Sequence, residues 1–234
     1  MRLLALFAGT GSVGEVFRER GWEVISLDMH LPADIRCDIM AWDYRGAYPT
    51  GHFDFIWASP PCTEYSKAKT VGVRKLEEAN RVVERTLGII QYFNPFGWAM
   101  ENPQTGLLKS QPFMVSRPFV DLDYCKYGMP YRKRTRLWNN ILTFVPRPLC
   151  RHDCPATRAG TRKHEQTAQR GSRGSELNTH RREELDRVPR ELVVDLLEAY
   201  EADRLIETTL AIPLLGCGRS RSGRSRRTCT ASAS

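Results

Sequence analysis

The chain has 234 residues, 41% of them hydrophobic, enough for one core with a small appendage and too few for two full domains. No apolar run approaches the ~20 residues of a membrane span, and the opening MRLLALFAGTGS breaks into glycines too early for a signal peptide. The formal charge of +8 is uneven: Gly216 to Ser234 holds five arginines and no acid, which leaves +3 for the remainder. Seven cysteines without paired spacing do not form a disulfide framework, so an intracellular protein with reduced thiols is expected.

In chain order, Leu3 to Phe7 is a short apolar strand that runs into AGTGSVG, and Val13 to Arg20 reads as a helix. Strand, glycine turn and helix open a nucleotide-binding α/β unit, in which glycines let the backbone approach a ligand and the helix amino terminus faces it. Trp22 to Leu27 is a second strand with Asp28 at its carboxyl end, placed to accept hydrogen bonds from ribose hydroxyls. A third element, Ile35 to Ile39, carries Asp38. Phe53 to Ala58 (FDFIWA) reads as a buried strand that ends in Ser59, Pro60, Pro61 and Cys62. Two prolines fix φ near −65° and supply no N–H, so Cys62 is held where a nucleophile would sit; taken alone, it reads more readily as a small buried cysteine after a turn, and the rest of the chain reverses that.

A helix is expected over Lys75 to Phe93, with Leu76, Ala79, Val83, Leu87 and Ile90 at helical spacing. The strand Gly97 to Met100 follows and ends in Glu101, Asn102 and Pro103, which brings a carboxylate to the same sheet edge. Phe119 to Tyr124 and Thr135 to Phe144 read as further strands, the second preceded by the basic run Arg132 to Arg136 (RKRTR). Alternating strands and helices imply an α/β fold with a doubly wound, mostly parallel sheet. From Pro146 to Thr179 periodicity is lost; no metal is assigned there, although Cys150, His152, Cys154 and His164 are zinc-ligand types at a spacing tighter than the usual cysteine pair. Arg182 to Tyr200 resumes a helix, with Pro189 suited to its first turn. The expected organisation is a core over 1–145, a reduced basic loop or small lobe over 146–180, a helix over 181–206 that packs back on the core, and a disordered Arg/Ser-rich tail over 207–234.

Five segments, in order and spacing over Met1 to Asn140, resemble the cytosine-C5 DNA methyltransferases: LFAGTGSVG, Cys37-Asp38-Ile39, SPPCTEYS, MENPQTG and YGMPYRKRTRLW. RVPRELV, from Arg187 to Val193, is similar to the family's last motif, whose helix returns to the cofactor. The resemblance implies a Rossmann-like sheet of the S-adenosylmethionine-dependent type. It places the cofactor on Phe7, Ala8, Gly9, Gly11, Asp28, Met29, Asp38, Ile39 and Pro60. Cys62 is implied as the nucleophile toward cytosine C6, with Glu101, Arg134 and Arg136 also catalytic; a cation beside Cys62 would favour its thiolate. Ser59, Pro61, Ser66, Asn102 and Arg132 are implied to meet the substrate. The implied partner is cytosine-containing duplex DNA with the target base flipped, the protein being a monomer by default.

The chain departs from the family in ways that matter. Only about fifty residues separate Arg136 from RVPRELV, too few for the usual target-recognition domain, which suggests a compact phage or viral form, read here as working in the cytoplasm of a prokaryotic host. Glu101-Asn102 is followed by Pro103 instead of valine, and the glutamine common before the arginines is absent, which leaves the assignment open among Arg132, Lys133 and Arg134. Two other readings stand beside the leading one: methylation of cytosine in a tRNA-like RNA, and a catalytically silent nucleic-acid-binding relic. Exocyclic amine methylation fits less well, because Ser59 and Cys62 occupy places where that chemistry uses Asp or Asn and an aromatic.

Overall fold

The computed structural model describes residues 1–67, 69, 71–168 and 185–211. Six strands, β1 (Arg2–Leu6), β2 (Glu23–Leu27), β3 (Phe55–Ala58), β4 (Gly97–Pro103), β5 (Phe119–Asp123) and β6 (Arg134–Asn139), make one sheet in the order β2-β1-β3-β4-β6-β5. β1 to β4 are mutually parallel, and β6 runs antiparallel between β4 and β5. The helices are α1 (Ser12–Glu19), α2 (Tyr44–Ala47), α3 (Leu76–Phe93), α4 (Pro112–Val115) and α5 (Arg190–Ala211).

The two-residue period of a strand sends alternate side chains to opposite faces, and here both faces are covered. Leu3, Ala5, Phe55, Trp57 and Ala99 pack under Val13, Val16 and Phe17 of α1 and Leu192, Val193, Leu196, Leu197 and Tyr200 of α5. Leu4, Leu6, Ile56, Ala58 and Met100 pack under Val83, Leu87, Ile89, Ile90 and Phe93 of α3. The four residues of β3 are all buried, which explains why that strand reads as an uninterrupted apolar run. α5 is bolted to the loop after β6 by Asp203, whose carboxylate accepts from Leu142 N (2.6 Å) and Thr143 N (3.1 Å).

Several element bounds differ from the expectations. Ile35 to Ile39 is not a strand: it touches the sheet through a single bridge, Leu27 to Ile35, before Asp38 accepts from Met40 N and turns the chain. β4 runs three residues past Met100, so Glu101 and Asn102 lie inside a strand paired with β6. β6 stops at Asn139, whose side chain accepts from Ile141 N and closes the strand, instead of reaching Phe144. α5 begins at Arg190, with the Pro189 carbonyl accepting from Leu192 and Val193 in the first turn, and continues to Ala211, past the expected end at 206. The rest of the expected tail, 212–234, lies outside the described residues, as does 169–184.

Gly97 is where α5 approaches β4 most closely: a Cβ there would stand 2.6 Å from Tyr200, 2.7 Å from Phe55 and 2.9 Å from Ile141. These are buried side chains with little room to retreat. Gly97→Ala is therefore expected to lower stability by about 1–3 kcal/mol through overpacking, read as an earlier urea midpoint at unchanged slope.

Candidate active site

The sheet order reverses between β1 and β3, since β2 lies on one side of β1 and β3 on the other. Loops leaving the carboxyl ends of these two strands diverge and open a crevice. A cavity of about 810 Å³ fills it, bounded by the glycine turn, Asp28 to Leu31, Cys37 to Met40, Ser59 to Cys62, Glu101 to Pro103, Lys133, Asp186 and Val188. That volume lies within the range of small-molecule and cofactor sites.

The turn after β1 holds three residues at positive φ, Phe7 (56°), Gly9 (55°) and Gly11 (77°), and Gly11 caps α1. For Phe7 this conformation is strained and must be held by its surroundings. The neighbouring bonds supply the hold: Ala8 N donates to Leu27 O, and Gly9 N donates 3.0 Å to Asp28 Oδ2. Asp28 Oδ1 in turn accepts from His30 N (2.8 Å) and Leu31 N (2.9 Å). Burial alone would push this carboxyl up, but the N–H groups of Leu31, His30 and Gly9 together outweigh it and keep Asp28 below the ordinary carboxylate value. One acid thus joins the ends of β1 and β2 and presents a fixed negative charge to the cavity.

Cys62 follows β3 as expected. Its carbonyl accepts from Tyr65 N and Ser66 N, and Arg74 straps the following loop by donating to the carbonyls of Glu64, Ser66 and Lys69. From β4, Asn102 Nδ2 donates 2.9 Å to the Pro60 carbonyl and so fixes the proline turn. Ser59 Oγ accepts from the Trp57 indole N–H at 2.9 Å. Glu101, nearly fully buried, accepts from the Tyr124 hydroxyl at 3.3 Å. Burial pushes the Cys62 thiol up; Lys133 pulls it back in part, while Glu101 and Asp186 push it further. The free site therefore favours the thiol.

Of the residues named from sequence, Phe7, Ala8, Gly9, Asp28, Met29, Asp38, Ile39, Ser59, Pro60, Pro61, Cys62, Glu101 and Asn102 line the cavity. Gly11 lies behind it at the start of α1, Ser66 tightens the Cys62 loop, and Arg132 is exposed away from it. Arg134 and Arg136 require correction. Directly opposed residues share a face, and Glu101 opposes Leu137 while Asn102 opposes Arg136. Arg136, and Arg134 two residues before it, therefore leave the sheet on the side opposite Glu101. There Arg134 forms a two-point pair with Asp123 (3.0 and 2.8 Å), and Arg136 one with Asp121 (2.7 and 2.9 Å). The Asp123 side chain has no exposed surface, so Arg134 neutralises a buried charge.

Among the cations that line the cavity, Lys133 is the one that acts on Cys62; its ammonium lies 5.0 Å over the Tyr124 ring and donates to Leu185 O at 3.0 Å. Lys133 is one of the three candidates the basic run left open, whereas Asp186, Val188, Tyr124, Glu78 and Arg81 were missed. Val188 could have been found through the RVPRELV match: its N–H donates 3.2 Å to Ser12 Oγ, closing the cavity against α1. Glu78 and Arg81 sit on α3 with no distinguishing sequence signal.

Six strands in this order, with the cavity at the reversal point, make a Rossmann-like, mostly parallel α/β fold. Over 217 residues, 85% of this chain and 99% of the relative, the sequence is 33% identical to a "Probable DNA (cytosine-5)-methyltransferase" of Frog virus 3 (isolate Goorha). The chain belongs to the DNA (cytosine-5)-methyltransferase family. It is also 28% identical over 167 residues to the type II methyltransferase M.AgeI of Thalassovita gelatinovora, covering 57% of this chain and 38% of that protein. The S. pombe Dnmt2 methyltransferase structure is similar at a TM-score of 0.45 and 14% identity, over 59% of this chain and 50% of that one. No protein-family model matches.

The charges facing Cys62 make a test of opposite signs. Lys133→Met removes the favourable cation and is expected to move the pH profile of Cys62 alkylation by iodoacetamide to higher pH; Asp186→Asn is expected to move it lower. Peptide mapping of the labelled protein separates Cys62 from the other cysteines. Shifts of the same sign in both variants would contradict the arrangement.

Proposed function

We propose that the protein is a DNA cytosine-5 methyltransferase that moves a methyl group from S-adenosylmethionine to C5 of a flipped cytosine in duplex DNA, through a covalent bond to Cys62. The observation that carries this reading is the meeting of Cys62 and Glu101, from neighbouring parallel strands, in the cavity that also holds the glycine turn and Asp28. A relic that only bound nucleic acid would need neither group there.

The cavity suits the cofactor on its own terms. Its volume accommodates a nucleoside, the turn from Phe7 to Gly11 lets backbone come close, and Asp28 stays ionised to receive ribose hydroxyls. Asp38 and Ile39 line the same cavity and are the residues proposed to meet the adenine. When bound, S-adenosylmethionine supplies an electrophilic methyl group.

Cytosine C5 is too poor a nucleophile to take that methyl unaided. Cys62, as thiolate, adds to C6 and pushes electron density onto C5. Its proton must leave first, and Lys133 is the cation that favours this. Glu101 bears on N3 and supports the charge that develops in the ring, with the Tyr124 hydroxyl fixing the carboxyl's orientation. Asn102 holds the Pro60 carbonyl, so the thiol keeps its position as the base enters. Once C5 has taken the methyl group, a base, water being the simplest, accepts the C5 proton, the C5–C6 double bond re-forms and Cys62 leaves as thiolate. A reducing, intracellular setting fits the unpaired cysteines among the described residues.

Cys62→Ala is expected to lose methyl transfer by about a thousandfold or more while still binding S-adenosylmethionine. Glu101→Gln is expected to lose about 10²–10⁴-fold. Duplex DNA carrying 5-fluorocytosine should trap the native protein covalently and leave Cys62→Ala untrapped; methylation by the alanine variant at the native rate would overturn the covalent step.

A further inference from the structure

Outside the cavity, three thiols and an imidazole converge on one point. Cys125, Cys150, Cys154 and His164 bring their ligand atoms within 4.8 Å of one another, the three cysteines being buried and the histidine half-buried. Cys125 comes from the short turn after β5, whereas the others come from the segment after β6. We propose that these four side chains bind a structural zinc ion that fastens the segment from Pro146 to Ala168 to the core.

Four observations support it. The donors are three soft sulfurs and one imidazole, the set that selects tetrahedral zinc and closes its coordination without an open position. A zinc tetrahedron of these ligands has edges of about 3.5–3.8 Å. The Cys150 Sγ to His164 Nε2 separation is already 3.5 Å, and the remaining separations need to contract by about 1 Å at most, a side-chain rotation. The donors are also supported from behind: His152 N donates 3.3 Å to Cys150 Sγ, as backbone amides do to metal-bound sulfur, and Thr157 Oγ1 lies 3.4 Å from Cys154 Sγ. Finally, the segment is tied to the core by polar contacts, such as Cys150 N to Asp123 Oδ2 (3.0 Å) and Gln166 N to Pro130 O (3.2 Å), and by little apolar packing. It folds as a small hairpin through the Thr157 to His164 bridge and the Arg158 N to Lys163 O bond, yet the apolar cluster beneath it comprises only the three cysteines and Ala156. A hairpin with so little to bury is held by metal coordination far more readily than by packing.

This corrects the sequence pattern as well. Cys125 takes the fourth place: the His152 ring lies beside that of His164, at 5.6 Å between centroids and with Nδ1 buried and unpartnered, but it is outside the group of ligand atoms that converges within 4.8 Å. The zinc reading is independent of the methyl-transfer reading, since no cavity residue is a ligand.

The test is elemental analysis of the full chain, expressed with zinc in the medium and purified under reducing conditions without chelator. About one zinc per chain is expected. Cys125→Ser and His164→Ala should fall to background, and His152→Ala should keep its metal. Should the ligand variants fail to fold by circular dichroism, the native chain exchanged with Co²⁺ gives the answer, as tetrahedral d–d bands with thiolate-to-cobalt charge transfer. Native protein free of zinc and giving no tetrahedral cobalt spectrum, or full zinc retention by folded Cys125→Ser, would overturn the proposal.

Discussion

On a strand covered from both sides, a side chain has two directions available and its neighbour must take the other. The carboxyl end of β4 uses this constraint to divide its labour. Glu101 goes to the face covered by α1 and α5, where it meets Tyr124; Asn102 goes to the α3 face, where it grips the proline turn that carries Cys62. One strand thus sets the acid and, one residue later, the brace for the thiol. A slip of one residue in the β4 to β6 register would exchange Glu101 for Asn102 and bring Arg136 toward the acid's side. The two-point pairs of Arg134 with Asp123 and Arg136 with Asp121 lie on the other side of β6, where they hold the register of β6 against β5.

The electrostatics around Cys62 describe a protein at rest. Glu101 and Asp186 oppose the thiolate, and Lys133 favours it against burial. A thiol in that balance is poorly reactive toward adventitious electrophiles, because the thiolate is the nucleophile. Sensitivity to whatever charge enters next is the other side of the same balance: in a low-dielectric cavity each added charge counts for more than it would in water.

What could be read in advance was whatever is local. The strand cores of β1, β2 and β3, the glycine turn, helices α1 and α3, Asp28 and the turn that ends in Cys62 all follow from short-range periodicity and from the fixed geometry of proline and glycine. Glu101 was legible as an acid beside a strand end, though the strand in fact encloses it. The misses are relational. Arg134 and Arg136 look like free cations until β4 is laid beside β6, and only register decides their face. Cys125 looks like an ordinary core residue because its companions lie 25 and more positions further on, beyond any motif window. Ile35 to Ile39 has the composition of a strand but lies at an edge where the ladder ends after one bridge.

The bond from Val188 N to Ser12 Oγ ties residues 176 positions apart, and Tyr200 of α5 packs on Phe55 and Trp22 near the beginning of the chain. While the chain is being made, the sheet face over Leu3, Phe55 and Ala99 lacks its α5 cover until the segment after Arg190 has left the ribosome. The nascent protein therefore passes through a stage in which the sheet is synthesised and one side of it is covered by α1 alone, the rest being open to water and to other chains, the condition under which chaperones engage clients. A truncated product ending before α5 would lack the Leu192, Val193, Leu196, Leu197 and Tyr200 side chains that share the cover of this face with α1.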